Sequence, residues 1–199
     1  MNLKAAPSRS RQSGFTMVEL IITMTIAGIL LVMGVSSYKY VTKANRASGE
    51  INALLGDMQF ARYEAVKEGL PVTICPATSA SSAACNSTST WSNGWIVLSN
   101  ALSGTSGTAN VLRRQLPFSS FSSNDTLTTS ASAANSAVVF NREGFASSLT
   151  GVVTFTLHDS LSTASFTRCL MLGLSGVMQT GLASSTYSSA VQILGQTCS

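Results

Sequence analysis

Glu19 is the side chain of this sequence whose position most needs a chemical partner. It is the only charged residue in the apolar stretch at positions 15–35, which is 21 residues long. An ionised carboxylate at the centre of a bilayer costs about 2.5–3.5 kcal/mol, and less near the interface, so such residues are usually paired. Glu19 is the fifth residue of the stretch, and Gly14 directly precedes its first residue, Phe15. The pattern therefore predicts an acid near one end of a membrane helix, with a partner outside that helix.

The residue types that carry enzyme chemistry do not form a recognisable site. His158 is the only histidine and stands beside Asp159, but serine is so abundant that a Ser-His-Asp match carries no information. The segment 173–176 departs from the G-x-S-x-G nucleophile elbow, and no Walker A or G-x-G-x-x-G motif occurs. The cysteine spacing does not match close zinc-ligand pairs. We therefore predict no enzyme activity, no catalytic residue, no metal and no cofactor, with His158 as an exposed loop residue.

One long helix is expected to carry Glu19. At about 1.5 Å per residue, the stretch 15–35 spans roughly 30 Å, which is the thickness of a bilayer core. We place the transmembrane half at residues 15–38 and a second half at residues 39–69, where Gly69 and Pro71 end the helix. Apolar residues recur in the second half at the three- and four-residue spacing of a buried helix face: Ile51, Leu54, Leu55, Met58, Ala61 and Ala65.

From residue 70 onward the pattern changes to short β-type runs separated by Gly and Ser clusters. Strands are predicted at residues 72–75, 95–98, 111–116, 137–140, 152–157 and 168–174, with weaker ones at 177–180 and 191–194. Residues 77–90 and 119–136 have little apolar material and are predicted to be surface loops. The fold class is therefore α+β, with a long N-terminal helix packed on a β-rich domain at residues 70–199.

The first 20 residues resemble the signal of type IV pilins and pseudopilins, which is a short basic leader, a glycine, a phenylalanine and a fifth-position glutamate. The resemblance implies that a prepilin peptidase removes the leader at residues 1–14 by cutting between Gly14 and Phe15, and then methylates the amino group of Phe15. It also implies that Glu19 acts in subunit assembly by neutralising the α-amino group of a neighbouring subunit. A Sec signal peptide has a shorter apolar core, and a plain membrane anchor does not explain Glu19.

Four further segments resemble the GspH/FimT branch of minor pilins and pseudopilins. These are residues 61–66, residues 71–75, the W-x-x-G-W block at 91–97 and the F-x-x-x-G segment at 140–144. The resemblance implies a pilin-like fold and a low-copy subunit of the bacterial inner membrane. The β-rich domain would lie in the periplasm, and the protein would then enter a pilus or pseudopilus. The implied partners are other pilins or pseudopilins, the prepilin peptidase and the inner-membrane assembly platform.

The four cysteines, Cys75, Cys85, Cys169 and Cys198, permit three pairings. With the orientation that the family implies, all four lie in an oxidising compartment, where disulfides form. Local closure favours Cys75–Cys85, around a polar insert, and Cys169–Cys198, between a late strand and the C-terminal tail. Each bond contributes about 2–4 kcal/mol in typical proteins.

The charge distribution argues against tight DNA binding. The net charge is +4, but three of the basic residues lie in the leader. Without them, nine basic and eight acidic side chains remain, so the net charge is +1. DNA-binding relatives in the FimT branch carry a Gly-Arg-x-Arg motif, and here Val177 and Gln179 stand where its arginines would be. Arg113 and Arg114 are the candidate DNA contacts if DNA is a partner after all.

We therefore expect a non-catalytic minor pilin or pseudopilin that primes or caps assembly of a type IV pilus. Two alternatives stay open at this point. One is the H-type minor pseudopilin of the type II secretion system, and the other is a pilus-associated DNA receptor for natural transformation.

Overall fold

The computed structural model describes residues 14–86, 91–99, 110–118, 124–130 and 137–182. The chain divides into two compact units, Met1–Thr42 and Lys43–Ser199. A single helix, α1 (Met17–Glu68), contains 52 residues. It ends where the sequence predicts, because Gly69 has a φ of +69° and donates its N–H to the Ala65 carbonyl oxygen at 3.1 Å. Within the described residues, no helix has both the length and the hydropathy required to cross a membrane.

The described residues of the second unit contain eight strands in two antiparallel sheets. The first sheet has the order β3-β2-β1-β5, with β1 (Val72–Pro76), β2 (Trp95–Ser99), β3 (Asn110–Gln115) and β5 (Val138–Phe140). The second has the order β4-β6-β7-β8, with β4 (Thr126–Thr129), β6 (Val153–His158), β7 (Arg168–Leu172) and β8 (Met178–Leu182). Short 3₁₀ helices occur at Trp91–Asn93 and Ala164–Phe166. The predicted α+β class is confirmed.

The apolar face of α1 and both sheets form one core. Five of the six predicted helix-face residues are buried, and Leu55 is half-buried at its edge. They share a cluster with side chains from both sheets, including Ile74 and Val97 of the first and Phe155 and Leu170 of the second. From Ala47 to Ala65 the helix is therefore covered by the sheets along one face, as its spacing indicates.

The predicted loop at residues 119–136 is wrong in its middle, because residues 126–129 form β4. The only large apolar side chain of β4, Leu127, is buried, and the strand pairs with β6 from Thr126↔His158 to Thr129↔Phe155. Long-range contacts stabilise it. The guanidinium of Arg46 donates to both carboxylate oxygens of Asp125 at 2.9 and 2.8 Å, and the Leu127 N–H donates to Ser92 Oγ at 2.8 Å. The strand predicted at residues 191–194 lies outside the described residues.

Candidate functional site

The predicted cleavage site lies just before the first turn of α1. Gly14, Phe15 and Thr16 are exposed and not helical, and the helix begins at Met17. The Phe15 side chain is 73% exposed. A Cβ atom added to Gly14 would meet no other atom within 4 Å. The fold of this chain therefore gives no reason for a glycine at position 14, and a requirement for one would have to come from outside the chain.

Thr16 caps the helix, a role that our sequence analysis missed. Its Oγ1 accepts the backbone N–H of Glu19 at 3.3 Å, and its carbonyl oxygen accepts the N–H of Leu20 at 3.2 Å. An N-cap side chain satisfies one of the four backbone N–H groups that a helix start leaves without an internal partner. The sequence contains a pattern that predicts this cap, because Thr16-x-x-Glu19 before an apolar run is typical of a capping box.

Glu19 lies in the first turn of α1 and is exposed. A carboxylate there is favoured by the partial positive charge at a helix N-terminus, typically by about 0.3–1 kcal/mol. Among the described residues, no basic side chain forms an ion pair with it. The geometry leaves the carboxylate accessible to a cationic group from another molecule.

Gly94 explains why the W-x-x-G-W block requires a glycine. It has a φ of +87°, and a Cβ atom there would overlap the Gln115 carbonyl oxygen at the end of β3. The turn places two buried indoles in the core: Trp91 packs edge-on against Phe155 with ring centroids 5.1 Å apart, and Trp95 packs against Phe118 at 6.0 Å. Both tryptophans therefore have structural roles.

Arg113 and Arg114, the candidate DNA contacts, do not form a common patch. Arg113 donates to Asp57 Oδ1 at 3.1 Å, and its guanidinium stacks on the Phe60 ring with 4.0 Å to the centroid. Arg114 donates to the carbonyl oxygen of Ala80 at 2.9 Å. Consecutive strand residues point to opposite faces, and here one arginine contacts the helix while the other contacts a loop.

Arg142 and Arg168, the other arginines of the β-rich domain, are also engaged by the protein. Arg142 donates to Glu143 Oε1 at 2.7 Å, and this hydrogen bond lowers the pKa of the Glu143 carboxyl. Arg168 donates to Ser48 Oγ at 3.3 Å and to the carbonyl oxygens of Ser165 and Thr167 at 3.0 and 3.1 Å. Binding to phosphates would therefore compete with existing contacts at all four arginines.

Arg62 of α1 connects two loops that are far apart in the sequence. Its Nε donates to the Gly144 carbonyl oxygen at 3.0 Å, and its Nη2 donates to the Ser175 carbonyl oxygen at 3.3 Å. These loops contain the F-x-x-x-G segment and the turn between β7 and β8. The arginine therefore has a tethering role that no local sequence pattern indicates.

The disulfide Cys75–Cys85 is present, as predicted. It joins the buried strand β1 to the short loop that follows, and Cys85 also pairs with Ala77, the residue after the strand, in an isolated bridge. Cys169 is buried on β7 and is also disulfide-bonded. Its predicted partner, Cys198, lies outside the described residues, so the pairing Cys169–Cys198 stays a prediction.

His158 and Asp159 are not arranged as part of a catalytic triad. Asp159 is buried and accepts the backbone N–H of Thr163 at 2.6 Å, which closes a local turn. The expectation of an exposed loop histidine is wrong. His158 ends β6, is half-buried, and lies with its Nδ1 3.4 Å from Thr167 Oγ1. Among the described residues, no three His, Cys, Asp or Glu side chains are grouped as metal ligands.

Two family models match this chain, one at its N-terminal segment and one over most of the β-rich domain. Residues 9–35 match the family model of the prokaryotic N-terminal methylation motif, and residues 50–176 match that of type II transport protein GspH. A search of curated proteins finds no match.

Two crystal structures of the type IV minor pilin FimU from Pseudomonas aeruginosa strain PAO1 have a similar fold. The structure in space group P21 has a TM-score of 0.55 at 20% identity, covering 76% of this chain and 98% of FimU. The structure in space group P65 has a TM-score of 0.52 at 21% identity, covering 73% and 98%. At this identity the similarity concerns the fold, and it confirms the predicted pilin-like architecture.

Proposed function

Because the chain belongs to the GspH family of minor pilins and pseudopilins, we propose that it primes or caps assembly of a type IV pilus, without catalytic activity. One observation carries the proposal. A methylation motif at residues 9–35 and a GspH domain at residues 50–176 occur on one chain, joined by the continuous helix α1. The helix links the segment that would be processed to the β-rich domain that would be displayed.

Processing is the first step of the proposed function. The prepilin peptidase cuts between Gly14 and Phe15, and Phe15 is N-methylated. The exposed, non-helical backbone of residues 14–16 supports this, since a peptidase needs access to the bond. The apolar start of α1 then holds the protein in the inner membrane with its β-rich domain in the periplasm. Large apolar side chains of residues 15–32 are exposed and would otherwise contact water.

Assembly is the second step, and Glu19 serves in it. Its carboxylate neutralises the α-amino group at the first residue of a neighbouring pilin or pseudopilin, at the inner-membrane assembly platform. Within the described residues it forms no ion pair with a basic side chain, which supports a partner on another subunit. Loss of the Glu19 carboxylate would leave the neighbour's α-amino group as an unpaired buried charge. Because an unpaired buried charge is strongly unfavourable, assembly should depend on this pair.

The secretion pseudopilus is the alternative that a specific observation favours, since the matching family model is described as a type II transport protein. The fold of FimU, a type IV minor pilin, supports the pilus instead. A DNA receptor has less support, because all four arginines of the β-rich domain contact protein groups.

Mass spectrometry of the membrane-extracted protein tests the processing step. The expected mature N-terminus is N-methylated Phe15, and Gly14→Glu is expected to block cleavage. The control is Gly28→Ala, because a Cβ atom at Gly28 also meets no other atom within 4 Å. This variant should be cleaved like the wild type. A mature N-terminus at any other residue contradicts the proposal.

Deletion of the gene in its host separates the two filament systems. The pilus function predicts that sheared surface pili are lost while enzyme secretion across the outer membrane continues. The opposite pattern would assign the protein to the secretion pseudopilus. Complementation with the wild-type gene is the control for effects on neighbouring genes.

A further inference from the structure

We propose that Thr16 is a positioning residue for leader cleavage. Its cap starts the helix at Met17 and thereby keeps the Gly14–Phe15 peptide bond in backbone that a peptidase can bind. This inference rests on the proposed cleavage between Gly14 and Phe15. It assigns a positioning role in that cleavage to Thr16, the second residue after the bond.

The position of the cap relative to the bond carries the inference. The hydrogen bond from the Glu19 N–H to Thr16 Oγ1, at 3.3 Å, fixes Thr16 as the last residue before the helix. Phe15 and Gly14 then lie outside the helix and are exposed. Backbone within a regular element must open locally before it can be cleaved, whereas exposed non-helical backbone is cleaved directly.

Without this cap, the helix has a favourable place to start two residues earlier. Glycine is an accepted N-cap residue, whereas valine and alanine are poor ones, and Gly14 is the nearest upstream residue of a favoured type. A helix capped at Gly14 would place Phe15 at its first helical position and draw the scissile bond into the first turn. Loss of a typical cap shifts such an equilibrium about fivefold.

The substrate conformation would then be populated less, and this predicts a specific kinetic change. When only a fraction of the molecules is competent to bind, the apparent dissociation constant rises in inverse proportion to that fraction. KM should therefore rise while kcat is unchanged, because the bound substrate has the same conformation as in the wild type. A side chain that contacts the reacting atoms would lower kcat instead.

The test uses the full chain in detergent with purified prepilin peptidase, and it measures kcat and KM for leader release. Thr16→Val removes the acceptor with little change of shape, and Thr16→Ser and Thr16→Asn keep an acceptor on differently shaped side chains. Thr25→Val is the matched control, since the Thr25 hydroxyl donates to the Ile22 carbonyl oxygen at 2.8 Å inside the same helix.

We expect Thr16→Val to raise KM about fivefold with kcat within twofold of wild type, and the Phe15 Cα chemical shift in micelles to move towards helical values. The other three variants should stay within twofold in both constants. Wild-type kinetics for Thr16→Val, or a KM for Thr16→Ser and Thr16→Asn as high as for Thr16→Val, would overturn the role of Thr16 alone. Failure of the wild-type chain to be cut at Gly14–Phe15 would instead overturn the proposed function.

Discussion

Single polar side chains on α1 determine how the helix is attached to the strands behind it. Asp57 is the clearest case, because one carboxylate accepts hydrogen bonds from two strands. Its Oδ2 accepts the indole Nε1–H of the buried Trp95 on β2 at 2.9 Å, and its Oδ1 accepts from Arg113 on β3. A buried donor without an acceptor costs more than an exposed ion pair contributes. The two hydrogen bonds should therefore differ in their effect on stability.

Asp57→Ala is expected to lower the free energy of unfolding of a fragment starting at Lys43 by about 1–3 kcal/mol, because the Trp95 N–H loses its acceptor. Arg113→Ala should cost about 1 kcal/mol or less, since the half-exposed arginine loses a screened ion pair and a cation–π contact. Urea titration followed by tryptophan fluorescence measures both. An Arg113→Ala effect larger than that of Asp57→Ala would contradict this ranking.

Glu19 is also a single side chain, and its proposed partner lies on another subunit. We expect Glu19→Leu to leave leader cleavage and membrane insertion intact and to reduce incorporation into filaments, since the α-amino group of the neighbour would lose its counter-charge. Glu19→Gln keeps the shape and removes the charge, so it should fail in the same way. The measurement is the amount of protein in sheared filaments, and wild-type levels for Glu19→Leu would refute the pairing role.

At the scale of elements, hydrogen bonds from Arg62 hold two loops against the helix. Gly144 and Gly176 both have positive φ angles, of 82° and 74°, and they lie against the arginine side chain. A Cβ atom at Gly176 would overlap the Gly144 carbonyl oxygen and lie 2.8 Å from Arg62 Nε. The turn from Gly173 to Gly176 is thus fixed both by its own backbone and by the loop beside it.

Gly176→Ala is therefore expected to destabilise the β-rich domain by about 1–3 kcal/mol from the positive φ alone, with more from the overlap. Gly151→Ala is the matched control, because a Cβ there meets no atom within 4 Å. Its effect should stay within about 0.5 kcal/mol of wild type. Thermal unfolding of the two variants provides the comparison, and equal melting temperatures would show that the turn can adjust.

The disulfides are expected to differ in how much they stabilise the elements they join. Cys75 and Cys85 are 10 residues apart, whereas Cys169 and Cys198 are separated by 29. By the logarithmic dependence of loop entropy on length, the longer closure should contribute about 1 kcal/mol more. Replacing each pair with alanine and measuring thermal stability tests the ranking. Peptide mapping without reduction tests the pairing, and Cys75 joined to Cys169 or Cys198 would refute it.

The charge of the whole molecule bears on its partners. Without the predicted leader the chain would carry a net charge of only +1, and the four arginines of the β-rich domain contact other protein groups. The affinity for DNA rises with the number of phosphates that are neutralised, and a nearly neutral domain neutralises few. The low net charge therefore predicts weak binding of DNA.

We accordingly expect no sub-micromolar binding of duplex DNA by a fragment starting at Lys43 at physiological salt, as measured by gel-shift titration. The double variant Arg113→Ala/Arg114→Ala should then behave like wild type. Tight, steeply salt-dependent binding that this double variant abolishes would instead support the DNA-receptor alternative.

The sequence by itself determined the features that depend on neighbouring residues. The long helix with its end at Gly69 and seven of the eight described strands follow from apolar spacing and turn residues. Thr16 belongs with them, because its capping pattern is local and could have been found. The sequence also predicts the disulfide Cys75–Cys85, because its two cysteines are close along the chain. The leader at residues 1–14 and the assembly role of Glu19 rest on the family resemblance and stay predictions.

Only the tertiary structure decided the features that depend on distant segments. Strand β4 has one large apolar residue and forms because β6 offers it a hydrogen-bonding partner. The contacts of Arg62, Arg113 and Arg46 join residues 82, 56 and 79 positions apart, and no spacing rule reaches that far. An arginine in a sequence shows only that a charge is present. Whether it binds a ligand or secures a loop depends on which carbonyl or carboxylate the fold brings within about 3 Å of it.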